Sequence, residues 1–95
     1  MFKKLKTSKQ LERHLKGVAN HWRIEMLLLV AERDGVTVEG IAEALGGNFK
    51  TISEHTRRLV QAGLLDKRYA GRTVTHALSP YGKTITAFIR TFQHS

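Results

Sequence analysis

Residues 36–65 read VTVEGIAEALGGNFKTISEHTRRLVQAGLL. Val38, Ile41, Ala42 and Leu45 fall at i, i+3, i+4 and i+7, the apolar stripe of one helix face. Gly46-Gly47 ends that helix, because glycine turns the chain without a Cβ penalty. At its start Thr37 is a capping residue, and Val36-Thr37-Val38 is a very short strand. Asn48 then caps a second helix with Phe49, Ile52, Thr56 and Leu59 on the inner face and Lys50, Ser53, Glu54 and Arg57 pointing outward. Gly63 stops it. Two helices on a tight Gly-Gly-Asn turn make a candidate helix-turn-helix.

Downstream, Leu64 to Tyr69 and Arg72 to Leu78 alternate loosely around Ala70-Gly71, a two-residue connection of the kind hairpins prefer. Lys67, Arg68 and Arg72 make the hairpin tip basic, and a projecting basic hairpin after a helix-turn-helix is a wing. Ser79-Pro80 opens a last helix, proline fitting the first position because its missing N–H would be unbonded there. Ile85, Phe88, Ile89 and Phe92 give that helix an apolar stripe. Upstream, Leu11, Leu15 and Val18 mark an amphipathic first helix. Between His21 and Arg33 apolar residues wrap almost the whole circumference, the mark of a central helix buried on several sides. Residues 1–7, with Lys3, Lys4 and Lys6, read as a flexible basic arm. The expected fold is mainly α with a small β-hairpin: a winged helix-turn-helix of five helices plus a two-stranded wing, a single domain over residues 1–95.

Composition narrows the function. The 95 residues carry 16 Lys and Arg against 8 Asp and Glu, a net charge of +8 at neutral pH. Such a field favours polyanions, nucleic acid first and an anionic membrane surface second. The longest apolar run, Met26 to Ala31, is far below the roughly 18–20 residues a spanning helix requires. Cysteine is absent, which excludes disulfides, thiolate metal sites and thiol redox sensing. Met-Phe-Lys-Lys-Leu-Lys begins like a signal peptide, but no apolar stretch follows, so a cytoplasmic protein is expected.

On DNA, Lys and Arg would neutralise phosphates and make binding salt-dependent, while base edges would be read from the outer face of the second helix. The candidate contacts are Asn48, Lys50, Thr51, Ser53, Glu54, His55, Arg57 and Arg58 on that helix, with Lys67, Arg68 and Arg72 on the wing. For any one of the helix residues the competing reading is an ordinary solvated face, favoured for Glu54 and Arg58, and for Arg72 it is a charge that solubilises the hairpin; as a set after a tight turn the helix residues favour groove contact. Arg72 suits a narrow minor groove, whose negative potential attracts guanidinium. Ser53 and His55, two apart on a helix, face different ways and cannot form a nucleophile and base. With no phosphate loop or nucleotide fingerprint either, no enzymatic activity or cofactor is expected.

Ala19-Asn20-His21-Trp22-Arg23-Ile24-Glu25-Met26-Leu27, Val38 to Leu45, Thr51-Ile52-Ser53-Glu54-His55, Ala62-Gly63-Leu64-Leu65 and Tyr69-Ala70-Gly71-Arg72 follow one another in an order and spacing that resembles the ArsR-type winged-helix repressors over residues 15–83. The C-terminal part has some MarR-like flavour. His21 and Trp22 replace the usual Pro-Thr, and Thr56 stands where a core leucine is common. The resemblance implies homodimerisation through the first and last helices, with Leu11, Leu15, Ile85, Phe88, Ile89 and Phe92 as interface candidates. The uncovered stripe on the last helix supports this; the alternative is that the first helix alone covers it. Metal-sensing relatives use a cysteine pair on the third helix or Asp and His on the last; this chain has neither. His14, His21 and Glu25 are the one candidate cluster, and scattered His and Glu are more often surface or capping residues.

The expected function is a sequence-specific transcription regulator, a repressor by the family's common mode. As a twofold dimer it would bind a near-palindrome with half-sites about 10–10.5 base pairs apart, or a multiple. The rival expectations are a winged-helix protein-interaction module and a non-specific DNA-coating protein. The residues specify no effector.

Overall fold

The computed structural model describes residues 5–95. Its elements are α1 (Ser8–Val18), α2 (His21–Glu32), α3 (Val38–Leu45), α4 (Phe49–Gln61), β1 (Leu65–Ala70), β2 (Thr73–Leu78) and α5 (Pro80–Gln93). The two strands form one antiparallel sheet with Leu65 opposite Leu78 and Ala70 opposite Thr73. This is the expected winged helix-turn-helix of five helices and a hairpin.

α2 is the axis of the core. It packs against α1, α3, α4, α5 and β2, and none of its apolar residues is exposed. Met26, Leu27 and Val30 from α2 meet Ile41 of α3, Ile52 and Leu59 of α4, and Leu64 and Leu65 at the root of the wing. Burial of such side chains contributes about 1.5–3 kcal/mol each.

Caps set where the helices begin and end. Thr37 accepts from the Gly40 amide, so Val38 already lies in α3, and the expected strand over 36–38 reduces to one bridge between Val36 and His76. α4 ends in a Schellman motif, Gly63 donating to the Val60 carbonyl and Leu64 to that of Leu59, with Gly63 at φ +77°. The first two residues before α1 are engaged rather than frayed. Thr7 and Gln10 form a reciprocal capping box, and the Lys6 ammonium lies 4.0 Å over the Tyr81 ring. Residues 1–4 of the expected arm lie outside the described residues.

Two local expectations are corrected. The hairpin turn is Gly71-Arg72, one residue later than Ala70-Gly71, because the first loop position carries the positive φ and Gly71 supplies it at +62°. With φ positive at the first loop residue alone, this is the type II′ pattern. Phe49, expected on the inner face, is 54% exposed. It shares the azimuth of Ile52, Thr56 and Leu59 but stands a turn nearer the helix start, beyond the edge of the core.

Candidate nucleic-acid interface

α4 is held at its start, along its inner side and at its end. The Asn48 carboxamide accepts from the amides of Lys50 and Thr51 at 2.9 and 3.2 Å, so its oxygen is committed to the cap. Ile52 and Leu59 lie in the core, and the buried Thr56 hydroxyl donates to the Ile52 carbonyl at 2.8 Å. A hydroxyl therefore replaces the common leucine without leaving an unmade bond.

The remaining face points away from the body. Lys50, Thr51, Glu54, Arg57 and Arg58 are exposed, and Ser53 and His55 are half-buried. Glu54 pairs with both Arg57 and Arg58. The Arg57 hydrogen bond holds the Glu54 carboxyl below the usual carboxylate range and raises Arg57 in turn. Glu54 thus orients two guanidinium groups and is not itself a free acceptor. His55 is tied inward: Arg23 of α2 donates from Nε to its Nδ1 at 3.2 Å.

The wing stands beside this face. Lys67, Arg68 and Arg72 are exposed, and Arg68 makes a 3.5 Å ion pair with Asp34 at the end of α2. Between the wing, the first turn of α3 and the first half of α4 runs a groove of about 470 Å³, with Phe49, Val74 and Glu39 on its walls and Lys67, Arg57 and Arg72 at its rim. His76, buried to 1% exposure, sits under it with no hydrogen bond to either ring nitrogen. Burial pushes its pKa down and Lys67 on the paired strand adds to this, against the Val36 carbonyl.

A second surface lies on α1 and α5. Leu11, Leu15, Phe88 and Phe92 are all about half exposed or more, Phe92 reaching 70%. The Phe88 and Phe92 rings stand 5.1 Å apart, and Ile85 and Ile89 lean against the core. α1 does not cover this stripe. The His14, His21 and Glu25 candidate does not assemble: His14 Nδ1 donates to the Ala62 carbonyl at 2.6 Å, while His21 and Glu25 are exposed. Among the described residues no three His, Asp or Glu side chains converge on a point where a metal could sit.

The sequence marks Arg23 only within the ArsR-like run and His14 only as a metal candidate; the tertiary bonds of both, and the burial of His76, were not foreseen. For Arg23 the only signal was its place in the run that resembles the family, since α2 also carries His21, Glu25 and Glu32. For the histidines there was none, because one histidine reads alike in core and surface positions.

A capped helix presenting cations and hydroxyls after a tight turn, flanked by a basic hairpin, defines a winged helix-turn-helix DNA-binding protein. The family profile described as bacterial regulatory protein, arsR family, matches residues 21–67, from the first residue of α2 into β1. A possible ArsR-family transcriptional regulator from Mycobacterium bovis, solved as a homodimeric winged helix-turn-helix DNA-binding domain, superposes with a TM-score of 0.82 at 25% identity, covering 99% of this chain and 91% of that one. HlyU from Vibrio cholerae gives 0.78 at 24% identity over 96% of each chain. The transcriptional repressor PagR of Bacillus anthracis gives 0.77 at 17% over 85% of this chain and 93% of its own. The last two likenesses concern the fold alone. No curated protein sequence matches the chain. The chain belongs to the ArsR family of winged helix-turn-helix transcriptional regulators, a family of DNA-binding proteins and not of enzymes.

Proposed function

We propose that this regulator is a homodimeric repressor that recognises a near-palindromic operator. The observation that carries the reading is the outer face of α4, where Lys50, Thr51, Ser53 and Arg57 stand clear of the core beside a basic wing. In this reading those side chains meet base edges in the major groove, while Lys67, Arg68 and Arg72 meet phosphates or the adjacent minor groove. Leu11, Leu15, Phe88 and Phe92 meet their counterparts across a twofold axis, Ile85 and Ile89 backing them from the core side. The homodimeric state of the Mycobacterium bovis relative supports the dimer by likeness, and PagR shows the same fold in a repressor. No helix among the described residues is long and apolar enough to cross a membrane; in this reading the protein meets its DNA in the cytoplasm.

The test is a titration against labelled DNA from upstream of its own gene, with unrelated competitor, at two salt concentrations. A retarded complex that survives competitor and weakens steeply with salt is expected. Binding abolished by competitor would mean non-specific coating. No binding at low salt would turn the search to protein partners.

A further inference from the structure

Arg23 is the only described side chain that joins three helices through one charged group. Its Nε donates to His55 Nδ1 of α4 at 3.2 Å, and its Nη1 donates to the Gly17 and Lys16 carbonyls at the end of α1, at 3.1 and 3.4 Å. Those carbonyls are among the last of α1, past the reach of its own ladder; that of Lys16 also accepts the Ala19 amide at the cap. The guanidinium is therefore fixed from one side by α1 and presented to the imidazole from the other.

Arginine only donates, so His55 Nδ1 must be the acceptor. In a neutral imidazole the proton then lies on Nε2. Among the described residues that nitrogen has no hydrogen-bond partner, and it does not belong to the buried unbonded atoms. His55 occupies the middle of α4, on the same flank as the exposed Thr51 and Arg58, four residues before it and three after. Its surroundings oppose protonation: burial lowers its pKa, Arg23, His21 and Arg58 act in the same direction, and Glu54 opposes them.

We propose that Arg23 is a specificity-determining positioning residue, holding His55 in the Nε2–H form so that its imidazole offers one hydrogen-bond donor to a purine N7 in the operator. The inference rests on the DNA-recognition reading above and adds to it the chemistry at one position. A donor without full charge discriminates by geometry. It is refused by cytosine, which shows only a donor at that edge, and among the acceptors there, N7 of guanine or adenine is the one that a 7-deaza purine removes while leaving the carbonyls of guanine and thymine in place. Arg23 never touches DNA in this account; it acts through the imidazole.

Two measurements test it. Nitrogen-15 spectra of the free wild-type protein above pH 7 are expected to show His55 protonated on Nε2 alone. In Arg23→Lys, which keeps the charge but loses the fork, the two tautomers should mix. Arg23→Ala should do the same and raise the His55 titration midpoint, and if that variant fails to fold, Arg23→Lys decides. The second measurement replaces operator purines singly with their 7-deaza analogues. One position in each half-site should cost the wild type about fivefold in affinity, the worth of one ordinary hydrogen bond, and cost Arg23→Lys nothing further. His55 found in the Nδ1–H form overturns the proposal while leaving DNA recognition intact. Equal weakening of wild type and Arg23→Lys at every deaza position also overturns it, as does a loss on Arg23→Lys that is uniform across sequences, which would mark a phosphate contact. Failure of the wild type to select any DNA sequence would sink the operator reading and this proposal together.

Discussion

Gly82 and Gly17 are the two glycines at which an added carbon would collide most severely. A Cβ on Gly82 would stand 2.0 Å from the Leu64 carbonyl oxygen, and one on Gly17 would stand 2.2 Å from the Ala62 Cβ. Backbone is the harder obstacle. Gly82→Ala should therefore lose about 2–3 kcal/mol of stability despite alanine's better helix propensity, read as a lower urea midpoint at unchanged m-value. His76 belongs to the same scale. Its folded pKa is depressed by burial, so the unfolded chain takes up the proton first. The stabilising contribution is complete above the ordinary histidine pKa of about 6.5 and is lost as pH falls through the lower folded value. Unfolding free energy should drop from pH 7 to 5, and His76→Leu should flatten that drop. His55, shifted in the same direction, accounts for a remaining slope. If His76→Leu and wild type show the same pH dependence, the buried imidazole is not what limits acid stability.

At the scale of elements, the junction between α4, the wing and α5 depends on one hydroxyl. Ser79 Oγ accepts from the Gly82 amide at 2.9 Å and donates to the Gly63 carbonyl at 2.6 Å. It caps α5 and ties that helix to the end of α4. Ser79→Ala should destabilise the protein by about 1–2 kcal/mol, with amide exchange accelerating first in the opening turn of α5. Which elements exist was legible from periodicity: the stripes at Val38 to Leu45 and Ile85 to Phe92 permit little but helix, and Thr37, Asn48 and Ser79 announce where helices start. What escaped was set by geometry that periodicity does not carry. The hairpin turn moved by one residue because the positive φ belongs to the first loop position. Phe49 kept its azimuth and lost its burial because azimuth says nothing about where along its axis a helix leaves the core. The candidate DNA-contact residues were legible as a surface, but their pairings were not. Glu54 with Arg57 follows helical spacing, whereas Arg23 with His55 and Arg68 with Asp34 are long-range meetings.

For the whole molecule the decisive feature is the apolar face shared by α1 and α5. The described body measures 41 × 34 × 21 Å, and Phe88 and Phe92 lie outside its core. A second copy covers them in the proposed assembly. Phe92→Glu places a charge in the centre of that contact, where it has no partner. The expected outcome is a shift to monomer in sedimentation velocity, with unchanged secondary structure by circular dichroism. Operator affinity should fall far more than affinity for a single half-site. A variant that sediments as the wild type does would remove Phe92 from the interface.

The tail of α4 is gripped from both flanks, since His14 of α1 holds the Ala62 carbonyl and Ser79 ahead of α5 holds that of Gly63. These are also the two helices assigned to self-association. In a symmetric pair the protein then acts as a calliper, its two reading edges set at a fixed span and angle by the parts that clasp each other. One inserted base pair moves a half-site by about 3.4 Å along the duplex and turns it by roughly 35°. Such a calliper cannot follow both displacements, so an operator lengthened by one base pair at its centre should be refused even though every base it contacts is still present.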